Sequence, residues 1–84
     1  MMDAHHLNHL RLLVLRHFLP EALQIGTLLD LPAVNGCDRE LIIRMVHACA
    51  LAGLLTTCGE TSGKWYFTSR AGWVVVTVLE SERR

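Results

Sequence analysis

Apolar residues recur at helical spacing near the start of the chain, and they form more than one stripe. The first stripe consists of Leu7, Leu10, Val14 and Phe18. A second strip beside it consists of Leu12, Leu15 and Leu19. The spacing predicts a helix over residues 4–19, with Asp3 as its N-cap. Because the helix of a monomer needs only one apolar stripe of about 100°, the second strip is predicted to be a homodimer interface.

Two further helices are predicted in the middle of the chain, each bounded by residues that start or stop helices. Pro20 suits a first helical position, and the helix that it starts must end before Pro32. Residues 32–37 are predicted to form a turn, because they contain an Asn-Gly pair. The third helix is predicted over residues 38–52, and Gly53 provides its stop.

The apolar pattern changes period after Gly53. Segments 54–58 and 64–68 are short, rich in threonine and aromatic residues, and joined by a glycine-bearing loop, which predicts a β-hairpin. Residues 69–80 are predicted to be helical, with a third strand as the rival because the segment is rich in β-branched valine. The sequence thus predicts a single domain over residues 1–84, mainly α with a small β-hairpin.

Composition narrows the class of protein. Hydrophobic residues make up 51% of the 84 residues, which excludes a disordered chain, and the length excludes a two-domain enzyme. Eight basic residues balance eight acidic ones, so bulk charge gives no support to nonspecific binding of nucleic acid or acidic membranes. No apolar stretch reaches the length of a membrane span, and no signal peptide is recognisable. The odd, widely spaced cysteines are typical of reduced thiols, which predicts a cytoplasmic protein.

Two sequence segments point to a family. Segment 51–55 reads Leu-Ala-Gly-Leu-Leu, and segment 65–72 reads Trp-Tyr-Phe-Thr-Ser-Arg-Ala-Gly. Following three helices, they resemble the winged helix-turn-helix family, in which a recognition helix ends in "xLGLL" and a wing strand closes on "Y-x-L-T-x-x-G". The chain is similar to small MarR-like regulators and to the winged dimerisation modules of some small-molecule methyltransferases. In such a domain Thr68 would cap the element that follows the wing.

The resemblance implies that the third helix enters the major groove of double-stranded DNA. Its outward face would then present Arg44, which can pair with a guanine edge, and Arg39, which can reach bases or phosphate. His47 shares that face and adds positive charge when protonated. Lys64 on the wing would contact phosphate.

Other residues on the same surfaces oppose DNA binding. Glu40 lies four residues before Arg44, the spacing of an ordinary surface ion pair. Leu51 and Ile43 are apolar, and Glu60 at the wing tip would repel a phosphate. A helix face covered by a protein partner is therefore the competing interpretation.

Sites for metals and for catalysis are not expected. His5 and His9 share a helical face, but two imidazoles make only half of a tetrahedral metal site. No nucleophile elbow, P-loop or dinucleotide glycine pattern occurs, so the sequence predicts neither an enzyme nor a cofactor. The leading hypothesis is a dimeric winged-helix DNA-binding regulator of transcription. The alternative is a protein–protein interaction module or accessory subunit that uses the third helix and has no DNA affinity of its own.

Overall fold

Helices make up most of the described chain. The computed structural model describes residues 4–58 and 64–82, with side chains from residue 6 onward. The elements, in chain order, are α1 (Ala4–His17), α2 (Ile25–Asp30), α3 (Pro32–Asn35), α4 (Arg39–Leu51), β1 (Leu55–Cys58), β2 (Trp65–Thr68) and α5 (Arg70–Glu82). The expected mainly helical α+β architecture is confirmed. Asp3, which is expected to cap the first helix, and Glu60, which is expected to repel a phosphate, lie outside the described residues.

Helix α1 lies at the centre of the core and packs against both α4 and α5. Leu12 is 2% exposed and Leu15 is fully buried. The expectation that these two leucines contact a second copy is therefore wrong, because the chain's own helices already cover α1 on two sides. Only Leu19 of the three expected interface residues is exposed, at 40%.

The segment between α1 and α2 is paired with the hairpin. The Leu23 N–H donates to the Tyr66 carbonyl at 2.9 Å, and the Tyr66 N–H donates to the Leu23 carbonyl at 2.8 Å. Because of these bonds, the helix that was expected to begin at Pro20 begins only at Ile25. Pro32 then starts the one-turn helix α3 where the sequence predicts a turn.

Helix α4 and the hairpin form close to the expected places. The Asp38 side chain caps α4 by accepting hydrogen bonds from the N–H groups of Glu40 at 3.0 Å and Leu41 at 3.4 Å. Beyond the helix, Gly53 has a φ of +81°, which other residues adopt only with strain. Strands β1 and β2 pair antiparallel from Leu55↔Thr68 to Cys58↔Trp65.

The last segment is a helix, which resolves the choice between helix and strand. The Gly72 N–H donates to Ser69 Oγ at 3.2 Å, so Ser69 is the cap, and the expectation that Thr68 fills this role is wrong. Thr68 Oγ1 instead donates to the Leu15 carbonyl at 2.7 Å and ties the hairpin to α1. Gly72, Val76 and Leu79 form the buried face of α5. This helical spacing of the buried positions outweighs the β preference of the valines.

Candidate nucleic-acid interface

Helix α4 separates its side chains into a buried face and an exposed face. The buried face consists of Ile42, Met45, Val46 and Cys49. The exposed positions are Arg39, Glu40, Arg44, His47, Ala48 and Leu51. This division follows from the apolar spacing in the sequence, and it leaves three potential cations on one side of a single helix. Ile43, which the sequence places at the edge of that face, is half-buried.

The Arg44 guanidinium is already engaged by a carboxylate. Its Nη2 lies 3.1 Å from Glu40 Oε1, and both side chains are exposed. An exposed pair at this spacing contributes only about 0.3–0.5 kcal/mol, so a nucleic-acid phosphate or base edge can replace Glu40 at small cost. Arg39, by contrast, has no ion pair among the described residues.

A surface groove of about 440 Å³ lies between α4, the β2 side of the hairpin and the start of α2. It is lined by Gln24, Ile25, Gly26, His47, Lys64 and Tyr66. The two hydrogen bonds between Leu23 and Tyr66 hold the start of α2 against β2 and so form one wall of this groove. His47 and Lys64 therefore line the same groove, whereas Arg39 and Arg44 lie outside it on the same exposed helix.

The contribution of the segment before α2 to this groove was missed in the sequence. A single paired residue such as Leu23 has no periodic pattern that would reveal it. The exposed orientation of His47 could be predicted, but its proximity to Lys64 depends on a contact between residues far apart in the chain.

A second groove of about 460 Å³ lies between α1 and the segment that follows it, and several leucines line it. Its rim includes His17, whose Nδ1 lies 2.8 Å from the Leu13 carbonyl. Because a carbonyl oxygen only accepts, Nδ1 carries the proton in this arrangement. Arg16 on the same rim lies 3.5 Å from Glu80, so its charge is shared with α5.

Chemistry based on metals or thiols has little support in the described part of the chain. No group of three potential metal ligands occurs there. The sequence places His5 on one helical face with His9, but the His5 side chain lies outside the described residues. The three cysteines are free. Burial raises the pKa of the Cys49 thiol, and the nearby Arg11 guanidinium opposes this only in part. Cys49 is thus a core thiol, as its position on the apolar face of α4 predicts.

No family model and no curated protein matches this sequence. Among the described residues, no helix has both the length and the apolar character needed to cross a membrane.

Proposed function

We propose that this protein is a small winged-helix domain that binds double-stranded DNA through α4 and the hairpin and acts as a homodimeric regulator of transcription. The observation that carries the proposal is the groove shared by His47 and Lys64 beside the exposed face of α4. It brings a helix and a hairpin, each with a positively charged or protonatable group, to one side of the molecule.

The dimensions of α4 suit a major groove. Its 13 residues extend about 20 Å at 1.5 Å per residue, and the major groove of B-DNA admits one α-helix. Arg39 lies in the first turn, the part of a recognition helix that contacts base edges in helix-turn-helix proteins. Arg44 follows on the same exposed face once Glu40 releases it, and Lys64 lies where a phosphate would run along the wing.

The charge balance limits the expected affinity. Since the whole chain has a formal net charge of zero, attraction to DNA is confined to this one surface. Each phosphate neutralised by a lysine or arginine changes the slope of log K against log salt by about 0.9. Contacts from Arg39, Arg44 and Lys64 would together give a slope of about −2 to −3 for each bound subunit, shallower than that of strongly basic binders.

A fluorescence-anisotropy titration of mixed-sequence duplex DNA at several salt concentrations tests the proposal. The affinity of the wild type should fall as salt rises. Lys64→Ala should weaken binding to all sequences and reduce the salt slope by about one for each bound subunit. Arg44→Ala should cost about 1–3 kcal/mol on a preferred sequence selected from a random pool.

Arg16→Ala is the matched control, because Arg16 is an exposed arginine on α1 rather than on the α4 side. It should leave the salt slope unchanged. Salt-insensitive binding by the wild type, or equal slopes for the wild type and Lys64→Ala, would show that this surface does not hold DNA phosphates.

One observation favours the second candidate, a protein–protein interaction module. Leu51, at the end of the same α4 face, is 93% exposed, and a leucine has no polar group to offer a phosphate. A partner that covers Leu51 would explain this exposure and the neutral net charge together. Absence of any DNA binding at low salt would favour this second function over the first.

A further inference from the structure

The outward side of α5 has a stripe of four residues spaced four apart. The stripe consists of Arg70, Val74, Val78 and Glu82, all of them exposed. Val74 is 53% exposed and Val78 is 50% exposed, and Trp73 beside them is 55% exposed. Residues at this spacing form one ridge on a helix surface. Half-exposed valines and a tryptophan on one short helix are an apolar surface that a partner would cover.

The charges at the two ends of this stripe are opposite. Arg70 is at the start of α5 and Glu82 is at its end, and the nine residues between Arg70 and Glu80 are uncharged. Among the described residues, neither Arg70 nor Glu82 has an ion pair, whereas Glu80 pairs with Arg16 of α1. The stripe is thus complementary to a reversed copy of itself, because reversal puts a base opposite an acid at both ends.

We propose that α5 packs antiparallel against α5 of a second copy, about a two-fold axis that passes midway between Val74 and Val78. This arrangement places Arg70 opposite Glu82 of the partner subunit and Val74 opposite Val78 of the partner subunit. A two-fold interface uses the same surface patch on both copies, so the patch must be complementary to itself. The order Arg-Val-Val-Glu meets this condition, because each end residue faces one of opposite charge and each valine faces a valine. Packing of ridges formed by residues four apart is common between helices in globular proteins.

A second copy fits the stripe better than a membrane surface does. Helices that lie on anionic membranes have several lysines or arginines along their polar face, whereas the charged residues of α5 are one arginine and two glutamates. The stripe also contains none of the residues that carry the proposed DNA surface, because those residues lie on α4 and beside β2. The pairing specifies the dimer of the proposed function, but it does not depend on DNA binding.

Sedimentation of the full chain over a range of micromolar concentrations, without DNA, tests the pairing. The wild type should dimerise reversibly. Arg70→Glu and Glu82→Arg should each weaken the dimer about tenfold, because each converts two exposed attractions of the symmetric interface into repulsions. The double variant Arg70→Glu/Glu82→Arg should regain the wild-type dissociation constant to within about threefold, because both pairs are restored with reversed sign.

Val74→Asp removes the apolar centre and should dissociate the dimer, while circular dichroism should report unchanged helix content because Val74 does not contribute to the core. Leu51→Asp is the matched control, since Leu51 is even more exposed but lies on α4. It should leave the dimer intact.

A wild type that stays monomeric at high micromolar concentration would overturn the pairing. A double charge-reversal variant no tighter than the single variants would overturn the antiparallel arrangement. The comparison of Lys64→Ala with the wild type in the DNA titration can be made whichever result is found, so failure of the dimer and failure of DNA binding can be told apart.

Discussion

Helices α1 and α5 are similar in length, 14 and 13 residues, and both are rich in aliphatic residues. Their surroundings differ. Helix α1 is packed between α4 and α5, so Leu12, Leu15 and Phe18 are buried. Helix α5 lies on the outside and buries only the side that faces α1 and β2. Surplus apolar residues therefore complete the core in α1, whereas in α5 they remain at the surface.

The same contrast separates the two outward faces of the molecule. Helix α4 exposes arginines, a glutamate and a histidine, and α5 exposes valines and a tryptophan. A charged face suits a partner whose contacts are electrostatic and dependent on salt. An apolar face suits a partner that excludes water. The two proposals assign these faces to DNA and to a second copy, respectively.

The largest expected effect comes from the buried leucines of α1. Leu15 is fully buried, so Leu15→Ala should lower the free energy of unfolding by about 2–5 kcal/mol through lost burial and a residual cavity. Leu19→Ala, at a position 40% exposed, should cost less than about 1 kcal/mol. Urea denaturation followed by circular dichroism, at one fixed protein concentration, measures both.

Equal losses of stability in these two variants would contradict the central position of α1. So would a Leu15→Ala variant of normal stability whose only defect is a weaker dimer, because Leu15 would then lie at an interface between copies.

A smaller effect is expected where α5 approaches the start of the hairpin. A Cβ at Gly72 would collide with the Leu54 carbonyl oxygen and lie 2.7 Å from Thr68 Cγ2. Gly72→Ala should therefore destabilise the fold by about 1–3 kcal/mol. Gly26→Ala is the control within α2, because nothing lies within 4 Å of its added methyl group. It should stabilise the protein by about 0.4–1 kcal/mol, since alanine loses less backbone entropy on folding.

The opposite signs of these two glycine variants are checked by thermal or urea unfolding. If both substitutions stabilise the protein, then α5 does not approach the Leu54 backbone as closely as described. The docking of α5, and with it the face that α5 exposes, would need revision.

Features set by neighbouring residues could be predicted from the sequence. The extent of the third predicted helix, its stop at Gly53 and the hairpin after it all depend on local conformational preferences. The exposed orientation of Arg44 and His47 follows from helical spacing alone. These predictions needed no knowledge of distant parts of the chain.

Features set by distant residues could not be predicted in this way. Apolar spacing shows that Leu12 and Leu15 are covered, but it does not show whether α5 or a second copy covers them. Likewise, Leu23 is extended because it pairs with Tyr66, which lies 43 residues further along the chain. The groove between His47 and Lys64 depends on that same long-range pairing, so its lining required the structure.

The smallest expected effect concerns the ion pair between α1 and α5. Arg16 Nε lies 3.5 Å from Glu80 Oε1, with both side chains about half exposed. Solvent screens such a pair, so Glu80→Gln should lower the free energy of unfolding by less than about 1 kcal/mol, and salt should diminish the difference. A double-mutant cycle with Arg16→Gln isolates the pair itself.

Glu82→Gln is the informative control, because Glu82 lies on the outward stripe while Glu80 is turned toward α1. Glu80→Gln should leave the dimer dissociation constant unchanged, and Glu82→Gln should raise it while leaving the monomer's stability as it was. If the two glutamines exchange these effects, α5 is rotated about its axis relative to the structure, and the residues assigned to its core and outward faces must be exchanged with it.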